Sequence, residues 1–235
     1  MEINYQFLVD TFYLVLAAVP TTLKLTIIPL LLASPFALAI ALIRLDQQKG
    51  FLKILVSAYV TFVRGTPIVL QILMVYSLLP SFLNLLAKAW SLNINVFDFD
   101  PIFYAYIVFT INIIALLSEV LRSALGSLEK GQLEAAECVG LNKIQAYLHI
   151  LLPQAMVVAM PNICNLTVNL IKGTSLAFLM TVKDMTAVAK ISASYGYNYI
   201  EAYVDVFVGY IIICSIVQIL FHYAEAHIGR YRLSK

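Results

Sequence analysis

Charge is the scarcest property of this 235-residue chain: Asp, Glu, Lys and Arg together make up 12% of it, against roughly a quarter in ordinary soluble domains. Hydrophobic residues supply 62%, where about 45 to 50% is usual. A chain with so little polar surface cannot hold a soluble fold, so lipid must be its solvent. The net charge is only +2 and the basic residues are scattered, which excludes the electrostatic footprint of a nucleic-acid binder. Cysteine is sparse as well. Cys138, Cys164 and Cys214 lie too far apart for a CxxC redox pair or a zinc spacing and read as small apolar filler. His149, His222 and His227 share no helical face spacing with carboxylates, so no metal site is expected. A phosphate loop is missing too. Gly126 and Gly131 have its spacing, but Gln132-Leu133 stands where a Lys-Ser/Thr pair would have to hold phosphate and magnesium. Nucleotide chemistry is therefore expected in a partner, and no catalytic residue is assigned, because HExxH, GxSxG and paired-carboxylate patterns are absent within the spans. Glu2 and Asp10 precede the first basic residue, Lys24, where a cleavable signal would need positive charge. The first helix is expected to stay in the mature protein.

What the chain does have is long apolar runs. A bilayer core of about 30 Å takes about 20 residues of helix, and the pattern predicts five spans over about 20–43, 54–87, 101–125, 153–180 and 205–225. The expected architecture is an all-α polytopic membrane protein, with residues 1–235 forming a single transmembrane domain. Pro29 and Pro35 predict a kink in the first span, and Gly65-Thr66-Pro67 predicts a break in the second. Five spans put the termini on opposite sides. With the N-terminus outside, the inner segments hold Arg44, Lys49, Lys53, Arg122, Lys130, Lys143, Arg230, Arg232 and Lys235, while the outer ones hold Lys88, Lys183 and Lys190. That excess of basic residues favours an external N-terminus and a cytoplasmic C-terminus.

The longest inner polar segment lies between the third and fourth spans; a short helix expected over about 130–141 carries Glu134-Ala135-Ala136, then Gly140 after three residues, and nine residues further on the chain reads Ile150-x-Leu152-Pro153. Ala135 and Ala136 favour helix and have little bulk, so a short helix through them can lie close against a partner. Gly140 can take the positive φ that ends such a helix, and Glu134 near its start suits the helix dipole. This spacing resembles the EAA signature of binding-protein-dependent ABC importer permeases. The resemblance implies the type I ABC importer permease fold in the bacterial cytoplasmic (inner) membrane. It also implies that Glu134, Ala135, Ala136 and Gly140 form the coupling helix that fits a groove in an ABC ATPase. Two such ATPase subunits, binding ATP and magnesium, and an extracytoplasmic solute-binding protein are the implied partners. A second permease subunit is expected, identical or related, since five spans are few to enclose a pathway and one such helix per subunit suits a two-fold ATPase pair.

Phe62-Val63-Arg64-Gly65-Thr66-Pro67-Ile68-Val69-Leu70-Gln71 is similar to the FxRGTPxxxQ segment of the polar amino-acid permeases, as Glu119-Val120-Leu121-Arg122 is to their third helix. Leu170-Ile171-Lys172-Gly173-Thr174-Ser175-Leu176 is similar to their LIKxTSL segment, with Gly173 where an acidic residue is more usual. The stretch from Leu170 to Phe178 most resembles the cystine permeases, and arginine, histidine, glutamine and glutamate are the other substrates the branch implies. Ionisable groups at membrane depth are costly and usually face a cavity or a partner. A zwitterion needs sites of both signs: Glu119 is the candidate for its ammonium and Arg64 or Lys172 for its carboxylate, with Thr174 and Ser175 adding hydroxyls. The structural alternative is that Glu119 and Arg122, three apart on one helix, neutralise each other while Arg64 and Lys24 snorkel. The outer segment Asp184 to Tyr203 is expected to form short helices, with Tyr195, Tyr197 and Tyr199 as contacts for a binding protein. The function in another class that fits these features is a stand-alone, ion-coupled secondary amino-acid transporter.

Overall fold

Several helix starts in this chain are set by short polar side chains standing just before the helical run. The Asn4 side chain accepts the Phe7 N–H at 3.0 Å, and Asp100 accepts the Ile102 N–H at 2.9 Å immediately before Pro101, a residue whose fixed φ suits the first helical position. The computed structural model describes residues 3–46, 50–92, 94–129 and 131–229, and 88% of these described residues are helical, with no strand among them. The helices are α1 (Tyr5–Leu45), α2 (Gly50–Gly65), α3 (Ile68–Ala89), α4 (Pro101–Gly126), α5 (Gly131–Cys138), α6 (Lys143–Ala146), α7 (Leu152–Gly173), α8 (Met185–Ser194) and α9 (Tyr199–Gly229). A π turn at Tyr147–Leu151 joins α6 to α7, and a 3-10 helix, Thr174–Met180, follows α7 directly.

Among the described residues, five stretches are long and apolar enough to cross a membrane: Tyr5–Leu45, Ile68–Ala89, Pro101–Gly126, Lys143–Met180 and Tyr199–His227. The first begins at Tyr5, well before the start near residue 20 that the pattern suggests, because the Asn4 cap starts the helix ahead of Asp10. The expected second span is divided at Gly65-Thr66-Pro67. Proline cannot donate its nitrogen to the ladder, and Gln71 ties down the residue before it: its Nε2 donates to the Thr66 carbonyl at 3.1 Å and to Thr66 Oγ1 at 2.8 Å. Asn112 Nδ2 in turn donates to Gln71 Oε1 at 3.1 Å, tying the break to α4. At 16 residues, about 24 Å, α2 falls short of the bilayer core, so the crossing in this part of the chain belongs to α3.

Contacts gather the chain into two units, each assembled from three separate stretches. One comprises Met1–Leu32, Gly65–Asn112 and Asn169–Ser215, the other Ala33–Arg64, Ile113–Val168 and Ile216–Lys235. Hydropathy marks where helices run and is blind to which halves of them pack together. In the first unit Ala87, Val96 and Tyr104 form a buried cluster, and the Tyr104 hydroxyl donates to the Val96 carbonyl at 2.9 Å. There Gly209 lets α9 approach closely, since a Cβ on it would lie 2.5 Å from Met185 Cε and 3.1 Å from Val15 Cγ1. Asp184, fully buried, caps α8 by accepting the Ala187 N–H at 2.8 Å. In the second unit Val60, Val63 and Ala115 are buried together, with Ile40 and Tyr59 packed against them. Lys49, Lys130, Arg230, Arg232 and Lys235, which entered the orientation reading, lie outside the described residues.

Candidate functional site

The segment after α4 folds into an elbow. Its short helix, α5, ends at Gly140, whose φ of +85° lies in the region open to glycine and strained for other residues. Two bonds close the end: the Gly140 N–H donates to the Glu137 carbonyl at 3.0 Å and the Leu141 N–H to the Ala136 carbonyl at 3.1 Å, the pairing of a Schellman motif. A Cβ on Gly140 would meet open space, so only the backbone angle demands glycine here. Ala136 is buried and anchors the helix, while Glu134, Ala135, Glu137 and Cys138 are exposed. Immediately afterwards Asn142 and Gln145 make a reciprocal capping box, with the Gln145 N–H donating to Asn142 Oδ1 at 2.9 Å and the Asn142 N–H to Gln145 Oε1 at 3.0 Å.

The elbow feeds straight into a membrane helix. Pro153 lacks an N–H and its ring clashes with the carbonyl four residues back, so an α ladder cannot pass through it undisturbed. The backbone widens into the π turn just before it, and the Leu152 N–H reaches back to the Tyr147 carbonyl. His149 Nδ1 lies 3.0 Å from the Gln145 carbonyl, and the tautomer protonated there donates to it. The EAA-type segment thus runs from an exposed helix, through a capped turn and a change of hydrogen-bond register, into α7.

A second arrangement in the same unit is electrostatic. Arg122 Nη2 donates to Glu119 Oε1 at 2.6 Å, Arg44 Nη1 to Glu119 Oε2 at 2.5 Å, and Arg64 Nη1 stands 3.7 Å from Glu119 Oε2. Side-chain exposure rises along the group, from 16% for Arg44 and 23% for Glu119 to 35% for Arg122 and 47% for Arg64. One carboxylate therefore serves three guanidinium groups, both its oxygens are engaged, and two positive charges remain in excess.

In the other unit Lys172 ends α7, exposed and meeting no carboxylate among the described residues. Gly173 keeps an ordinary helical φ of −66°, so the backbone there tightens into the 3-10 helix and no open turn frees its polar groups. The hydroxyls beside it are already engaged. Thr174 Oγ1, fully buried, donates to the Ile171 carbonyl at 2.7 Å, and Ser175 Oγ donates to the Lys172 carbonyl at 2.7 Å.

The family described as binding-protein-dependent transport system inner membrane component matches residues 33–230, which takes in the elbow, the arginine cluster and all three candidate polar segments. The chain belongs to this family. A probable amino-acid permease protein of Bacillus subtilis, YxeN, is 36% identical over 225 residues, covering 94% of this chain and 96% of its own. The L-cystine transport system permease protein TcyL of Bacillus subtilis is 32% identical over 214 residues, covering 91% and 87%. Among solved structures, an amino acid ABC transporter crystallised with histidines has a chain that superposes with a TM-score of 0.78 at 24% identity, covering 97% of this chain and all of that one, so the fold is that of type I importer permeases.

For this permease subunit the structure brings together some of the residues singled out in the sequence and separates others. Glu134, Ala135, Ala136 and Gly140 form one elbow, and Arg64 meets Glu119. Lys172, Thr174 and Ser175 belong to the other unit. The pairing of Glu119 with Arg122 is present as the helical spacing suggested, and Arg44 joins it from a position 75 residues away. Nothing in local spacing points to Arg44. The signal at hand was its place at the end of a span, which counted only toward orientation. The capping box, by contrast, is legible in Asn142-Lys143-Ile144-Gln145.

Proposed function

We propose that this permease subunit carries a polar L-amino acid inward by alternating access, driven by two partner ABC ATPases that bind ATP and magnesium. The observation that carries this reading is the exposed elbow: an eight-residue helix whose outward side chains are small or acidic, closed by Gly140 and continuous with a membrane helix. A body pressing on Glu134, Ala135 and Glu137 moves α7 through the capped turn at Asn142, because no flexible linker lies between them. The partners in this account are the ATPase pair, a second permease subunit, identical or related, and a solute-binding protein on the opposite face. The N-terminus lies outside and the C-terminus in the cytoplasm of a bacterial inner membrane.

Cystine leads among the substrates, supported by the likeness to TcyL and by the Leu170–Phe178 stretch; arginine, histidine, glutamine and glutamate follow. Lys172 is the cation placed for the substrate carboxylate, being exposed and unpaired with any acid among the described residues. Thr174 and Ser175 shape the end of α7 through their carbonyl bonds, and Glu119 organises arginines. The test is uptake of labelled amino acids into vesicles holding the permease with its ATPase and binding protein. The account expects ATP-dependent uptake, competition strongest from the true substrate, and a raised KM for Lys172→Gln with little change in maximal rate. Uptake that runs on an ion gradient without ATP contradicts it.

A further inference from the structure

We propose that the arginine cluster around Glu119 is a binding site for the phosphate of an anionic phospholipid. Three arginines converge on one carboxylate, and among the described residues no second carboxylate joins the cluster to match the two remaining positive charges. Partly buried charge left unmatched is costly, so the cluster calls for a further anion. Arg64 is the open position. Its guanidinium stands 3.7 Å from Glu119, longer than the roughly 2.7 to 2.9 Å of a charge-assisted bond, and with a side chain 47% exposed it is the most accessible of the three arginines. Arg44 and Arg122 saturate Glu119 without it.

Depth and surroundings identify the anion. Arg44 is the next-to-last residue of α1, and Glu119 and Arg122 lie within about 10 Å of the end of α4. The two helix ends are side by side, since a Cβ on Gly126 would lie 3.7 Å from Leu45 Cδ2. A charged group this close to the ends of membrane-length helices sits at headgroup depth, where basic pockets between helices hold lipid phosphates. Along α2 the side chains of Ile54, Leu55 and Phe62 are exposed while Val60 and Val63 are buried, and Arg64 stands at the end of this helix. An anion carrying acyl chains fits both features: its phosphate meets Arg64 and its chains cover the apolar side of α2. A soluble phosphate or carboxylate would use only the first.

Native mass spectrometry of the full chain in mild detergent tests this with phosphatidylglycerol and phosphatidylcholine as probes. The wild type should retain phosphatidylglycerol in preference. Arg64→Gln should weaken that retention roughly fivefold, the effect of one basic residue near an anionic surface, and leave phosphatidylcholine unchanged, while Arg64→Lys keeps most of it. The wild type alone gives a second arm: phosphatidylglycerol should raise its melting temperature, and diacylglycerol with the same chains should not. Equal retention of phosphatidylglycerol by wild type and Arg64→Gln overturns the proposal, as do equal melting shifts with the two lipids. Displacement of the bound lipid by millimolar inorganic phosphate or a free amino acid overturns it in favour of a soluble anion.

Discussion

Around Gly140 the backbone closes on itself and the side chains face outward, whereas around Glu119 the side chains close on one another and the backbone is ordinary helix. Both regions lie in the same unit and both are carried by segments of family-like spacing. At the elbow every polar backbone group named above has a partner within the turn, so Glu134, Ala135 and Glu137 remain available to another protein. In the cluster the carboxylate is already engaged, and only the arginines have capacity left. Charge within or beside an apolar helix is therefore no guide by itself to substrate contact. What a group is already bonded to decides what it can still do.

The largest effect expected from breaking this contrast is at Glu119. Glu119→Ala leaves three guanidinium groups without their shared anion; removing one partner of a fully buried pair costs about 3 to 5 kcal/mol, and partial exposure reduces that here to about 2 kcal/mol. For a chain of this size that lowers the melting temperature in detergent by several degrees. An unchanged melting temperature would show that the cluster is loose and that Glu119 is free for substrate. A smaller effect on stability is expected at the elbow, where Gly140→Val forces a β-branched residue into positive φ at about 1 to 2 kcal/mol. Its effect on function should be the greater one: membrane insertion persists, ATPase activity continues and transport no longer follows it. Transport at the wild-type rate in this variant would separate the elbow from coupling.

Much of this was open to reading in the sequence because it rests on local chemistry. Gly65-Thr66-Pro67 announces a break, since proline removes a donor and the helix ends before it. The positive φ at Gly140 follows from a glycine placed after an alanine-rich turn. Pro153 was legible as a helix signal but not as the cause of a π turn, because its first-turn position and its clash with a preceding helix look the same until α6 is seen to precede it. Arg44 escaped notice for a different reason: it meets Glu119 across 75 residues, and pattern carries no information about which spans are neighbours. The early start of α1 is within reach of the sequence, since Asn4 is an ordinary capping residue, but Lys24 interrupts the apolar run and the stretch after it is already long enough to span.

Cys138 offers the most direct measurement of the central claim, because it lies at the end of α5 and is exposed, whereas Cys164 and Cys214 are half-buried in membrane helices. Its rate of labelling by a membrane-impermeant maleimide can be followed in the full chain with and without the ATPase. The account predicts fast labelling of Cys138 in the chain alone and strong protection once the ATPase is bound, with Cys164 and Cys214 unaffected. Labelling at the same rate in both states would contradict it.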